Sequence, residues 1–246
     1  MDAATRSENA RAIFAAGLAA AEPSNCVRRA LAVEGSYLRC GTRHIALDSI
    51  STLRVIGAGK ATAAMAQATE TILGEHIDAG AINTKYDHSL PLERIEIFEA
   101  GHPVPDEAGV AGAQRQLELL TGLDENAVVI ALFSGGGSAL LPAPAPGISL
   151  ADKQEATRQL LACGATIDQI NALRKHLSAV KGGLLTRAAA PAQICALMLS
   201  DVIGDPLDTI ASGPTYPDST TFTYCLELID RYDLRQQLPT SVRQRL

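Results

Sequence analysis

Residues 127–133, Ala-Val-Val-Ile-Ala-Leu-Phe, run without a spacer into Ser134-Gly135-Gly136-Gly137-Ser138 and then into Ala139-Leu140-Leu141. An apolar run this short, with no polar alternation and rich in β-branched residues, has both faces covered, as an interior strand of a parallel sheet does. Three successive residues without Cβ let the chain turn sharply and bring bare backbone N–H groups up to an anion, and the apolar residues behind them begin a helix. The segment therefore predicts strand, glycine turn and helix, with a cradle for phosphate or carboxylate at the turn. A tight strand-to-helix turn without a ligand satisfies the same pattern.

A second unit of the same kind lies upstream. Leu53-Arg54-Val55-Ile56 ends in Gly57-Ala58-Gly59-Lys60, and the alanine-rich residues 61–73 that follow favour a helix. Further strands are expected over residues 79–84, 95–98 and 194–199. Helices are expected over 7–32 with an interruption at Pro23-Ser24-Asn25, over 107–120 with Asp106 as N-cap, and over 150–163 and 167–187; a last helix starts at Ser241. Strands alternating with helices predict a doubly wound, mainly parallel α/β sheet with helices on both faces, a three-layer Rossmann-like arrangement. With no linker or repeat, residues 1–246 read as one domain. Ligands of such sheets collect at the carboxyl ends of the strands.

Composition narrows the partners. The formal net charge of −6 disfavours nonspecific attraction to nucleic acid or to an anionic membrane, so any anion site must be local. Cys26, Cys40, Cys163, Cys195 and Cys225 are scattered with no C-x-x-C pair, which points to reduced thiols in a cytoplasmic protein. The apolar runs are too short to cross a bilayer, and the start of the chain carries Asp2 and Glu8 rather than a leader pattern.

Several groups could act on an anion at the sheet edge. Lys60 stands at the first turn of a helix, where it adds a mobile full charge; Gly57 and Gly59 belong to neither a P-loop nor a complete dinucleotide fingerprint. Counted at 3.6 residues per turn over residues 171–181, Asn171, Arg174, Lys175, Ser178 and Lys181 share a face opposite Leu173, Leu177 and Val180. No Asp or Glu is interspersed on that stripe, so a bound anion would relieve its like charges; a solvated basic face is the alternative. His176 borders it. Asp201 and Asp205, just beyond the strand at 194–199, suit Mg²⁺, although Asx-turns explain isolated aspartates equally well. His102, in the rigid Gly101-His102-Pro103-Val104-Pro105 loop, has no spaced Cys or His partners for zinc.

Taken together, Gly57-Ala-Gly-Lys-Ala61, Gly101-His-Pro-Val-Pro-Asp106, Ser134-Gly-Gly-Gly-Ser-Ala-Leu140, Asn171-Ala-Leu-Arg-Lys-His-Leu-Ser178 with Lys181-Gly-Gly183, and Ser200-Asp-Val-Ile-Gly-Asp-Pro206 through Ile210-Ala-Ser-Gly-Pro214 give the chain a specific likeness. It resembles the amino-terminal domain of the glycerate 2-kinase family, whose members also carry the label hydroxypyruvate reductase. The resemblance implies transfer of phosphate from ATP, assisted by Mg²⁺, to the 2-hydroxyl of D-glycerate. It implies a second α/β domain across a cleft, which this chain does not contain, and it leaves a homodimer among the open arrangements. Carried over residue by residue, it implies Lys60, Arg174 and Asp201 as catalytic groups and Asp201 with Asp205 as metal ligands. Gly57, Gly59, Ser134, Gly135, Gly136, Gly137, Ser138, Asn171, Lys175, Ser178, Lys181 and Ser212 would bind substrate or phosphate. A sugar-phosphate-binding or sugar-isomerase-like domain is a competing reading, and a nicotinamide-dependent reductase a weaker one, since G-x-G-x-x-G is incomplete.

Overall fold

The computed structural model describes residues 2–246. The chain opens with α1 (Ala3–Ala21), capped by the Asp2 carboxylate accepting from Thr5 N–H at 2.8 Å, and buries none of its residues. Glu22 then caps α2 (Pro23–Ala30), so the helix expected over 7–32 is two helices and ends at Ala30. Residues 31–46 form an antiparallel meander of β1 (Leu31–Glu34), β2 (Tyr37–Cys40) and β3 (Arg43–Ala46), where no strand was expected. The reason is period-2 burial: Leu31, Leu38, Cys40 and Ile45 face inward and their neighbours outward, whereas the expected helix reaches residue 32 and no element is expected over residues 33–46.

The main sheet contains β4 (Leu53–Ala58), followed by α3 (Thr62–Leu73); β5 (Ala79–Lys85); β6 (Ile95–Ala100), followed by α4 (Glu107–Leu119); and β7 (Val128–Ser134), followed by the single-turn α5 (Gly137–Leu140). After it come α6 (Leu150–Ala162), α7 (Ile167–His176), α8 (Leu184–Ala189), β8 (Gln193–Leu199), α9 (Phe222–Arg231) and α10 (Thr240–Arg245). The five strands lie in the order β6-β5-β4-β7-β8 and are all parallel. This is the doubly wound α/β sheet expected. The strand order reverses between β4 and β7, and both glycine turns leave the sheet at that switch point.

Every residue of β7 is buried, as its unbroken apolar sequence requires. Val55, Ile82, Ile130 and Leu132 pack on one face with Met65 of α3 and Leu38 of the meander; Ile56, Val129, Ala131 and Phe133 pack on the other with α4, α5 and α8. Burying a side chain such as Phe133 contributes about 1.5–3 kcal/mol. A third apolar cluster joins α6, α7, α9 and α10 through Leu160, Leu173, Leu228 and Val242.

The helix expected over 167–187 breaks. α7 stops at His176, because Ser178 pairs in a bridge with Pro144 and its hydroxyl donates to Ala143 O at 3.2 Å; after the Gly182-Gly183 turn the chain begins α8. Lys181 therefore lies in a turn and not on the helix of Asn171. No helix among the described residues is long and apolar enough to cross a membrane. All five cysteines are free thiols.

Candidate active site

The two glycine turns are stitched together. Lys60 N–H donates to Gly135 O at 2.9 Å, Ala61 N–H donates to Ser134 Oγ at 3.0 Å, and the Thr62 hydroxyl meets the same Oγ at 3.3 Å. Ser134 is fully buried and spends its side chain on the first turn of α3 rather than offering it to a ligand. A Cβ on Gly59 would stand 2.0 Å from Ser134 Oγ, and one on Gly57 2.1 Å from Leu132 O, so both glycines exist for the close approach of β4 to β7.

Beneath the turns lies a buried amide network. Gln116 donates to Gly57 O and to Asn83 Oδ1, and accepts from Gly57 N–H; Asn83 donates to Gly109 O and Leu140 O. It fastens α4 and α5 to the strand ends. Its signal in the sequence is an Asn inside the otherwise apolar strand Ala81-Ile82-Asn83.

Three ionisable groups converge on the outer side of the Ser134–Ser138 turn. A Cβ on Gly135 would lie 2.3 Å from Asp201 Oδ2; one on Gly136 would lie 3.0 Å from the His102 ring and 3.1 Å from Lys60 Cε. Both glycines therefore leave room for these side chains. Lys60 and Asp201 are exposed. Partial burial and the charges of Lys60 and Lys85 hold the His102 imidazole below its ordinary pKa, so its ring is neutral at physiological pH. Gly137 faces Ala58 O and Ala211. Asp205 sits on an exposed turn, its N–H donating to Val202 O at 3.1 Å.

On the inner side of the turn, Ser138 Oγ and Ser212 Oγ share a hydrogen bond of 2.7 Å, and Ser212 reaches Asn171 Oδ1 at 3.4 Å. Those three residues form one chain that orients Ser138. Lys181 donates to Ser138 O at 2.8 Å and Leu141 O at 3.4 Å. Arg174 lies beside it. Lys153 of α6, which sequence reading overlooked, donates to Leu177 O at 3.0 Å and completes a trio of cations. It could have been found: Lys153 falls on the stripe of Leu150, Ala156 and Leu160, the buried face of its helix. Burial, with Arg174 nearby, lowers the Lys153 ammonium to about 7; burial and both neighbours push Lys181 well below its ordinary value, and burial lowers Arg174.

The stripe expected over 171–181 is thus divided, and it is buried rather than solvent-facing. Lys175 leaves on another side and pairs with Asp218 at 3.3 Å and Asp208 at 3.7 Å, so it does have acidic partners, supplied by a distant loop. His176 Nδ1–H donates to Ala172 O at 2.9 Å, and its ring stacks edge-on against Phe222. Arg174 and Lys181 remain without a carboxylate partner among the described residues. With Lys153 they line a cavity of about 550 Å³ walled by Pro103, Val104, Pro105, Pro142 and Leu161.

Mg²⁺ keeps most of its shell as water and phosphate oxygens, so it needs only one or two protein carboxylates. Asp201 fits that demand, being exposed and next to the glycine turn; among the described residues no group of three or more His, Cys, Asp and Glu forms a ready-made metal cage.

The sequence matches the DUF4147 family, described as a domain of unknown function, across residues 9–246. Over 73% of this chain and 43% of its own length, a D-glycerate 2-kinase of Thermotoga maritima is 48% identical. A putative hydroxypyruvate reductase of Agrobacterium vitis is 48% identical over 77% of this chain and 43% of its own. A crystal structure titled glycerate kinase, from Thermotoga maritima, superposes with a TM-score of 0.86 at 38% identity, covering 98% of this chain and 55% of that one. The chain spans about half the length of the relatives it matches. With its residues matched almost end to end and its fold shared with a solved relative at substantial identity, the chain belongs to the DUF4147 family.

Proposed function

We propose that the chain forms one wall of a kinase site that transfers phosphate from ATP to the 2-hydroxyl of D-glycerate. The observation that carries this reading is the convergence of Lys60, His102 and Asp201 on one glycine turn, with three cations behind it. Phosphoryl transfer needs donors for spread negative charge and correct placement of the acceptor hydroxyl, and little covalent chemistry from the protein. Relatives named D-glycerate 2-kinase and glycerate kinase support the substrate.

In this reading Lys60 neutralises the glycerate carboxylate or the transferring phosphoryl group, and the backbone of residues 135–138 holds phosphate oxygens. Asp201 orients the acceptor hydroxyl and takes its proton, or shares a Mg²⁺ with the triphosphate, Asp205 being the second candidate ligand. When bound, that ion would be held by Asp201, with Asp205 as the second candidate, and would offset the charge of the phosphates. His102, neutral, serves as a hydrogen-bond partner. Asn171 and Ser212 position Ser138, Lys181 and Arg174 face the anion, and Lys175 and Ser178 hold the surrounding loops. A second α/β domain closes the cleft; the site is cytoplasmic, and a homodimer is compatible with it.

The test is an assay of the whole gene product with D-glycerate, ATP and Mg²⁺, reading ADP release and separating 2- from 3-phosphoglycerate. Formation of 2-phosphoglycerate supports the assignment. Glycerate-dependent formation of NADH, or tight phosphosugar binding with no ADP release, overturns it.

A further inference from the structure

We propose that the cavity between α6 and the Pro103–Pro105 loop is the seat of the nucleoside triphosphate, its phosphates held by Lys153, Arg174 and Lys181 and its nucleoside lying against the proline wall. This rests on the phosphotransfer reading and adds to it a division of the site: donor on the inner side of the Ser134–Ser138 turn, acceptor on the outer side with Lys60, His102 and Asp201.

Charge and burial carry the argument. Three basic side chains, Lys153 and Lys181 buried and Arg174 partly so, meet at one side of an open cavity, and their like charges raise each other's energy. Buried cations in proteins are ordinarily paired, yet the acidic groups close by are already engaged. Glu155, which lines the same cavity, is held by Arg158 at 2.7 Å and by Gln159, and Asp152 is bound to the Ser149 cap. Lys153 and Lys181 each donate to carbonyls, at Leu177 and at Ser138 and Leu141, which fixes where their ammonium groups sit and leaves further N–H donors. Arg174 has its whole guanidinium fork available, the geometry suited to phosphate oxygens. A polyanion is the ligand that such a set lacks.

Shape then selects among polyanions. About 550 Å³ is far more than a phosphate or a glycerate fills, and suits a nucleotide-sized ligand. The far wall of Pro103, Val104, Pro105 and Pro142 is apolar, with Pro103 and Val104 exposed and Pro142 buried beneath them, a surface for a base or ribose but not for phosphate. Lys181 is bonded to the carbonyl of Ser138, so the cationic end abuts the glycine turn, and a terminal phosphate there would face Lys60 across it.

The test is titration of the whole gene product with a fluorescent N-methylanthraniloyl ATP and with ATP by calorimetry. Lys153→Met keeps the apolar stem and removes the charge. Ala151→Trp puts a large ring into the cavity from an exposed position, and circular dichroism and thermal melting check that the fold is kept. Both variants are expected to weaken ATP binding at least tenfold while D-glycerate binding stays within twofold. Should either variant fail to fold, the other decides the outcome. ATP binding within twofold of wild type in the folded variants overturns this placement even if glycerate is phosphorylated, as does failure of the wild-type protein to bind ATP. Cavity-dependent ATP binding without glycerate phosphorylation leaves this placement standing and removes the substrate assignment.

Discussion

The two sides of the Ser134–Ser138 turn are built on opposite principles. Outside, Lys60, His102 and Asp201 mix a cation, a neutral ring and a carboxylate in an open position. Inside, Lys153, Arg174 and Lys181 are all basic, largely buried and without a carboxylate partner among the described residues. Exposed groups of mixed sign can exchange protons and rearrange around an acceptor, and contribute little to stability. Buried like charges destabilise the empty fold and become favourable only when an anion arrives. The difference suggests that the outer side performs chemistry and the inner side holds charge.

Lys60→Ala gives the largest expected effect, a loss of roughly a hundred- to a thousandfold in kcat/KM, as for other removals of a charge-stabilising donor. ATP affinity should stay within about twofold of wild type, since binding lies on the other side. A change in kcat/KM of only a few-fold would end the assignment of Lys60. Asp201→Asn should follow, with roughly a hundredfold loss in kcat if the carboxylate orients the hydroxyl and takes its proton. Gly135→Ala probes the same group indirectly. The added methyl displaces the Asp201 carboxylate, which is free to move, so kcat should fall about tenfold with the melting temperature unchanged. Equal losses of stability and activity would show that the glycine serves packing instead.

The smallest expected effects concern stability and pH, and they separate the inner cations from their neighbour Lys175. Lys175→Met removes the cation facing Asp218 and Asp208, leaving Asp218 with Thr220 and His176 alone, and should destabilise by about 2 kcal/mol, measured by urea denaturation. Lys153→Met should instead raise the melting temperature at pH 6.5, because a buried cation is removed. Lys153 has a folded-state value of about 7 against 10.5 for an ordinary lysine. Below pH 7 folded and unfolded chains both hold the proton, and the penalty of burying it is complete. Between about 7 and 10.5 the unfolded chain holds more protons, so stability rises with pH by up to about 1.4 kcal/mol per unit. The difference between wild type and Lys153→Met should shrink accordingly from pH 6.5 to 8.5. Bound ATP keeps Lys153 charged, so ATP affinity should fall over the same interval, and less so in Lys153→Met. Arg174, Lys181 and the Leu177 carbonyl are the groups facing this ammonium; Lys181, itself held well below its ordinary value by burial and both cations, adds to the rise in stability in the same sense.

Much of the sheet is legible in the chain because its signals are local. The β-branched run of β7, the two glycine turns and the Asp106 cap each act between near neighbours, so strand, turn and helix follow from residue order. The meander over residues 31–46 escaped because its four-residue strands show alternation too brief to compete with the helix pattern before them.

The candidate site divides along the same line. Residue types alone, glycines after apolar runs and a lysine at a helix start, mark the turn and Lys60 as anion-handling. Only packing decides that Ser134 faces inward to α3, that Lys153 joins Arg174 and Lys181, and that Lys175, one residue from Arg174, leaves for an Asp218 43 positions away. Adjacent residues on a helix point about 100° apart, and which of those directions meets a carboxylate or an empty cavity depends on what the rest of the chain packs there. The sequence by itself determined a parallel α/β sheet with an anion-handling turn at its edge; the tertiary structure decided which cations were left unpaired, because pairing is a property of long-range contacts.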